Sequence, residues 1–124
     1  MAARLHRWDE IALEKITEMI SQKIVAGERE MLAQIYLKRG ALVPMHAHES
    51  EQMTYVLQGA IRFVVDGEEI IVREGEVLHI PARAPHQAEA LDDTFELDVF
   101  SPIREDWLGA DPDAVTLDPE TPNR

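Results

Sequence analysis

From Gly40 onward, short apolar runs alternate with residues that favour turns. The apolar runs include TYVL, AIRFVV and IIV, and none is long enough for a buried helix. The turn signals between the runs lie at Lys38–Gly40, Gln58–Gly59, Asp66–Gly67, Glu74–Gly75 and Pro81–Pro85. Short strands at this spacing are typical of β-sandwiches and β-barrels, so the pattern predicts an all-β fold.

Asp66-Gly67 is the strongest of these turn signals. It lies between AIRFVV and IIV, where a two-residue loop would connect two neighbouring strands. A type I′ turn needs positive φ at both central residues, and Asp followed by Gly tolerates that conformation. We therefore predict a tight hairpin at this point.

The N-terminal segment, residues 8–25, fits two kinds of structure. Leu13, Ile16, Ile20 and Ile24 are spaced like one stripe of a helix, but the three Ile also share one face of a strand. Gly27 and the following MLAQIYL favour a hairpin. We predict a short helix over residues 8–14 and strands at about 17–26 and 30–39.

The charge and composition of the chain exclude several functions. The 124 residues include no Cys, which excludes a disulfide scaffold, a thiolate metal site and a Cys nucleophile. Because 24 Asp and Glu outweigh 12 Lys and Arg, giving a net charge of −12, we expect no nucleic-acid partner. No apolar run is long enough to span a membrane, and the N-terminus lacks the apolar core of a signal peptide. We therefore expect a cytoplasmic protein.

The length of the chain is that of one compact domain, so we treat residues 1–124 as a single domain. We expect the barrel to cover about residues 16–108. From Gly109 the chain is rich in Pro and poor in large apolar residues, which predicts an extended acidic tail over 109–124.

Four of the five His lie between residues 46 and 86. On a strand, His46 and His48 would point to the same face, and Gln52 has the same parity. His86 follows the Pro-rich corner PARAPH, from which it can approach on a neighbouring strand. Three imidazoles and an amide oxygen suit one divalent metal ion. The alternative for the HxH pair alone is two surface His on an edge strand.

The spacing of these residues is similar to the two motifs of the cupin superfamily. The spacing reads Gly40-x5-His46-x-His48-x3-Gln52-x6-Gly59 and then Gly75-x5-Pro81-x4-His86. The resemblance covers about residues 30–104 and implies a small, jelly-roll-like β-barrel of the double-stranded β-helix type. Two positions depart from the motifs: Gln52 stands where Glu is usual, and Arg83 stands where Gly is usual.

A second polar cluster lies in the segment DVFSPIREDWL. On a strand, Asp98 and Phe100 share one face and Leu97 and Val99 share the other. If Asp98 faces the interior it is a candidate general acid/base. The alternation equally allows Asp98 to face solvent. Arg104 is a candidate clamp for a carboxylate, or else a surface partner of its acidic neighbours.

Gln as the fourth ligand, together with DVFSPIREDWL, resembles the KdgF family of pectin-degradation cupins. The resemblance implies the conversion of 4,5-unsaturated monouronates from pectin or alginate to their linear keto form. It implies a homodimer, as do the apolar outer faces of the strands, and one divalent ion, which we expect to be Ni, Zn, Mn or Fe. It places the metal on His46, His48, Gln52 and His86, and gives supporting roles in catalysis to Asp98, Phe100 and Arg104.

Two other kinds of function fit the same motifs. The FSPxREDWL ending also occurs in polyketide cyclases, so a polyketide-type cyclase or a cupin dioxygenase is the alternative enzyme. A cupin that only binds a small ligand is the non-enzymatic alternative. The neutral donor set of three His and Gln52 disfavours a higher metal oxidation state, and it favours a small anionic substrate such as a uronate.

Overall fold

The computed structural model describes residues 2–105, which form ten β-strands preceded by one turn of 3₁₀ helix. The 3₁₀ turn is Trp8–Glu10. The strands are β1 (Glu14–Lys15), β2 (Ile20–Ala26), β3 (Met31–Leu37), β4 (Leu42–His46), β5 (Glu51–Gln58), β6 (Ala60–Val65), β7 (Glu68–Arg73), β8 (Val77–Ile80), β9 (His86–Ala90) and β10 (Thr94–Ser101). The predicted tail over 109–124 lies outside the described residues.

The strands form two antiparallel sheets that share one apolar core, and the all-β, jelly-roll-like prediction is confirmed. The larger sheet has six strands in the order β1-β2-β3-β10-β5-β8, and the smaller has four in the order β4-β9-β6-β7. Inward side chains of both sheets, among them Ile35, Val56, Ile61 and Phe63, form the core. The two sheets therefore enclose the barrel interior from opposite sides.

Only part of the N-terminal prediction is correct. The hairpin of β2 and β3 is present, with Ile24 opposite Ala33. The predicted helix over 8–14 is limited to the 3₁₀ turn, because the chain is already extended at Ile11 and Glu14 pairs with Gln22 as part of β1. Pairing along the edge of the six-stranded sheet outweighs the weak helical pattern of this segment.

The predicted tight turn between β6 and β7 is also confirmed. Asp66 has φ 49° and Gly67 has φ 80°, the positive values that a type I′ turn requires. No helix in the described part of the chain has the length and apolar character needed to cross a membrane.

Candidate metal centre

Four potential ligands come from three strands and one loop at one end of the barrel. His46 ends β4, His48 lies in the loop after it, Gln52 is the second residue of β5, and His86 begins β9. His46 pairs with His86 within the four-stranded sheet, whereas Gln52 belongs to the opposite sheet. The structure brings the four side chains together, but the reasoning from one continuous strand is wrong, since a loop separates β4 from β5.

The three imidazole rings are packed together. The ring centroids of His46 and His86 are 4.3 Å apart, and that of His48 lies 4.9 Å from His86. One ring nitrogen from each residue can be chosen so that all three lie within 4.8 Å of one another. Because metal–nitrogen bonds are about 2.0–2.1 Å long for zinc, two nitrogen ligands of one ion lie at most about 4.2 Å apart. The three nitrogens are therefore close enough for small movements of the side chains to bring them around one ion.

Backbone carbonyl groups fix the orientation of each ring. In every case Nδ1 lies within hydrogen-bond distance of a carbonyl oxygen two residues away. These pairs are His46 with Pro44 (2.9 Å), His48 with Ser50 (2.8 Å) and His86 with Ala84 (2.8 Å). Because a carbonyl oxygen only accepts, Nδ1 carries the proton and donates it, which leaves the lone pair on Nε2. Metal-binding His residues have this arrangement.

His48 has an acceptor at each of its two ring nitrogens. Its Nδ1 donates to Ser50, and its Nε2 lies 3.1 Å from the amide oxygen of Gln52. A neutral imidazole can donate only one of these bonds. A doubly protonated ring would satisfy both, but burial lowers the pKa of His48 to about 4, and the positive charge of Arg104 acts in the same direction. A cation between Nε2 and the amide oxygen satisfies both lone pairs, so the donor set fits a metal ion.

The amide of Gln52 connects this donor set to Asp98. Its Nε2 donates to the hydroxyl of Thr54 at 2.8 Å and lies 3.5 Å from Oδ2 of Asp98. Its oxygen therefore faces His48 and its nitrogen faces the carboxylate. A Glu at this position could not donate to either partner, which gives a structural reason for the departure from the usual cupin motif.

Asp98 faces the barrel interior and has no exposed surface. It pairs with Ala33 on one side and Thr54 on the other, in the middle of the six-stranded sheet. Leu97 and Val99 are only half-buried and point to the outer face. The alternative that these two residues fill the core, with Asp98 in solvent, is therefore wrong.

Phe100 and Arg104 pack against the histidine cluster. Phe100 is fully buried, and its ring meets that of His48 edge to face with the centroids 5.7 Å apart. The guanidinium carbon of Arg104 lies 5.4 Å from the centre of the Phe100 ring, a cation–π distance. Arg104 is itself buried rather than exposed at the surface.

A pocket of about 450 Å³ opens beside this cluster. His48 and Arg104 contribute to its wall. Three carboxylates also line it, those of Glu28, Glu49 and Glu105. Among the described residues of this lining, Arg104 is the one fixed positive charge, so it is the natural partner for an anionic group on a ligand.

Two buried polar residues near Asp98 were not predicted from the sequence: Thr54 at the site, and Glu96 farther from the potential ligands. Thr54 and Glu96 have no exposed surface. The alternation of inward and outward side chains along a strand could have identified both residues. Thr54 shares the inward face of β5 with Gln52, and Glu96 shares the inward face of β10 with Asp98. His79, by contrast, lies outside the cluster, and its Nε2 is 2.8 Å from the carboxylate of Glu51.

Residues 34–101 match the protein family described as Cupin domain, and this segment is more than half of the chain. The chain belongs to the cupin family. This cupin is similar to the pectin degradation protein KdgF of Dickeya dadantii, with 28% identity over 103 residues, covering 81% of this chain and 94% of the relative. The solved structure of KdgF from Halomonas sp. is 32% identical with a TM-score of 0.80, covering 86% of this cupin and 100% of that chain.

A third relative matches this cupin over only part of its length. An uncharacterized protein of Methanocaldococcus jannaschii is 31% identical to this cupin over 75 residues. That match covers 60% of each protein.

The low pKa of His48 predicts how stability depends on pH when the cupin has been freed of metal with a chelator. Unfolded His48 binds a proton near its ordinary pKa of 6.5, whereas folded His48 does so only near 4. Protons therefore favour the unfolded state in this window, and Tm should fall as the pH drops from about 6.5 to about 4. The Tm of the H48Q variant should fall less than that of the wild type when the two proteins are compared by calorimetry. An equal fall in Tm would contradict the assignment of this pH dependence to His48.

Proposed function

We propose that this cupin is a metal-dependent enzyme that opens the ring of 4,5-unsaturated monouronates and converts them to the linear keto form. One observation carries the proposal. The amide of Gln52 contacts the three-His cluster through its oxygen and the buried carboxylate of Asp98 through its nitrogen. The similarity to the two KdgF proteins supports the same substrate class.

The proposed reaction is an isomerisation, so it needs no oxidant and no net water. The bond between C1 and the ring oxygen breaks, the C1 hydroxyl gives up its proton, and C4 gains one as the C4–C5 alkene becomes a ketone at C5. A divalent ion held by His46, His48, Gln52 and His86 would supply Lewis-acid polarisation of substrate oxygens. Asp98 is the group that we propose moves the proton.

Asp98 has no exposed surface, so the substrate must enter the barrel mouth past His48 and Arg104, which line the pocket. Arg104 is proposed to bind the substrate carboxylate. Phe100 is buried between Arg104 and His48, so we assign it to positioning these two groups rather than to contact with the sugar.

The three carboxylates of the pocket favour a single uronate over a chain of them. A second uronate residue would bring another negative charge close to Glu28, Glu49 or Glu105. Repulsion between these like charges makes the binding of a second uronate unfavourable. The effect is largest at low ionic strength, where surface charges are least screened. We therefore expect an unsaturated monouronate to be a better substrate than an unsaturated diuronate.

The proposed function is tested by incubating the metal-loaded protein with an unsaturated monouronate. The expected result is a faster loss of ultraviolet absorbance than in a sample without protein, because the conjugated alkene disappears. An oxygen electrode runs in parallel and should record no consumption. Unchanged absorbance would overturn the proposal, and oxygen uptake with another substrate would favour the dioxygenase alternative.

Replacing Arg104 by Ala should weaken substrate binding more than it affects metal content. A charge-assisted hydrogen bond contributes about 1.5–3 kcal/mol, which corresponds to a loss of roughly 10–100-fold in kcat/KM. Much of this loss should appear as a raised KM, since the carboxylate is bound in the ground state too. Arg83 is exposed in the corner before His86, and R83A is the matched control with wild-type KM expected. A normal KM in R104A would remove Arg104 from the proposed site.

We also propose that the cupin forms a homodimer through the outer face of the six-stranded sheet. Within the described residues, two outward rows at the centre of this face contain no Asp or Glu, although the chain carries a net charge of −12. The rows are Val25, Leu32, Val99, Met53 and His79, and Lys23, Gln34, Leu97, Tyr55 and Val77. Two acidic copies approach with least repulsion at such a face, and a second copy covers its apolar surface.

Sedimentation at micromolar concentration should give twice the mass of one chain for the wild type. The Y55E variant should sediment as a monomer, because two symmetry-related carboxylates would be buried near each other. L42E is the matched control, since Leu42 is exposed on β4 of the other sheet. A monomeric wild type, or equal effects of the two variants, would contradict the proposed interface.

A further inference from the structure

Thr54 is a polar residue in a position that the pattern of its strand assigns to the interior. It has no exposed surface and lies between the inward positions Gln52 and Val56 on β5. A buried hydroxyl in apolar surroundings is unfavourable unless it forms hydrogen bonds. Here it accepts the Nε2–H of Gln52 at 2.8 Å, which is the shorter of the two contacts of that amide nitrogen.

The orientation of the Gln52 amide matters because its oxygen only accepts hydrogen bonds and its NH₂ group only donates them, although the two groups are similar in size. With the oxygen toward His48, the amide offers a ligand beside the Nε2 lone pair. A loosened amide can instead turn its N–H₂ toward that lone pair and form a hydrogen bond. That second arrangement would occupy the donor atoms of both His48 and Gln52 and so compete with a metal ion.

One neighbour of the amide opposes that arrangement, and a second holds the amide in place. Asp98 lies 3.5 Å from Nε2, and its carboxylate would repel an amide oxygen placed there. The contact with Thr54 is 0.7 Å shorter, 2.8 Å against 3.5 Å, and is made by a β-branched side chain with few rotamers. We propose that Thr54 is a positioning residue of the metal centre: it holds the amide of Gln52 in the place where the carboxylate of Asp98 keeps the amide oxygen turned toward His48.

This inference rests on the metal centre of the proposed function and adds a residue that supports a ligand without binding the ion. Residues that orient metal ligands typically contribute 10–100-fold to metal affinity. The T54V variant keeps the shape of the side chain and removes the hydroxyl, so its dissociation constant for a divalent ion should rise by about 10–100-fold. The T54S variant keeps the hydroxyl and should bind within about threefold of the wild type.

Co²⁺ is the probe, because its visible absorption bands report the ligands around it. Affinity is measured by competition with a chelator, and the spectrum is recorded at saturating Co²⁺. The matched control is T94V, which removes another buried hydroxyl, four residues along β10 from Asp98, where Thr94 bonds to the backbone of Ala60 and Asp92. It should lower Tm but leave Co²⁺ affinity unchanged.

The outcomes separate this inference from the proposed function. Weak binding and altered bands in T54V, with normal binding in T54S and T94V, support the positioning role. Wild-type affinity and spectrum in T54V overturn it while leaving the metal centre intact, and equal weakening in T94V overturns it as a general loss of stability. A wild type that binds no Co²⁺ overturns the metal centre and this inference together. If T54V does not fold, T54A tests the same point with a smaller side chain.

Discussion

The D98N variant is expected to lose about 10²–10⁴-fold in kcat, the usual contribution of a general acid or base. Asn retains the size of the side chain and can still accept from Gln52, but it cannot carry a proton between C1 and C4 of the substrate. Asp98 contacts Gln52 rather than serving as a ligand itself, so metal content at saturating metal should stay near that of the wild type even though the affinity falls. The measurement is ultraviolet turnover at saturating metal, with metal content determined on the same samples.

A matched control for this prediction lies two residues away on the same strand face. Glu96 is also fully buried, and E96Q makes the same change from carboxyl to amide farther from the ligands. E96Q should retain most of its turnover, although its stability will change. Normal turnover in D98N with metal bound, or an equal loss in E96Q, would show that the carboxylate of Asp98 does not move the proton.

The H86A variant is expected to lose the metal and, with it, nearly all turnover. Removing a partner of a ligand costs 10–100-fold in affinity, so removing the ligand itself should cost more than about 100-fold. His86 is buried where β9 meets β4 and β6, so Tm should fall moderately as a cavity forms. Elemental analysis of protein purified without chelator measures the metal, and circular dichroism establishes that the variant is folded.

His79 provides the control for loss of an imidazole. It lies on β8 outside the ligand cluster, with Glu51 as its partner, so H79A should keep the full metal content and turnover. Metal bound at wild-type affinity in H86A would mean that the ligand set is wrong. Equal metal loss in H79A would mean that the histidines act through stability rather than coordination.

The strand order of the barrel could not be predicted from the sequence, but its class could. Turn residues such as Asp66-Gly67 determine local conformation through their φ angles, and these are properties of single residues. The segment over residues 8–25 was harder, since a four-residue spacing of Ile16, Ile20 and Ile24 is compatible with both a helix and a strand. Only the pairing of β1 with β2 and of β2 with β3, which the sequence does not display, decides between them.

The orientation of Asp98 shows why the candidate site could be predicted only in part. Both faces of β10 carry large apolar residues, Phe100 on the inner face and Leu97 and Val99 on the outer. Alternation alone therefore allowed either face to be the buried one. The register of β10 between β3 and β5 decides it, because that register places Asp98 opposite Thr54 and next to the amide of Gln52.

The ligands and the proposed proton carrier belong to different strands. His46, Gln52 and His86 come from β4, β5 and β9, whereas Asp98 is on β10, where Phe100 also packs against His48. A substitution at Asp98 therefore changes the proposed proton carrier and removes none of the four potential ligands. Protein engineering that seeks a new activity from this scaffold should begin by varying position 98, and should keep the histidines together with Phe100.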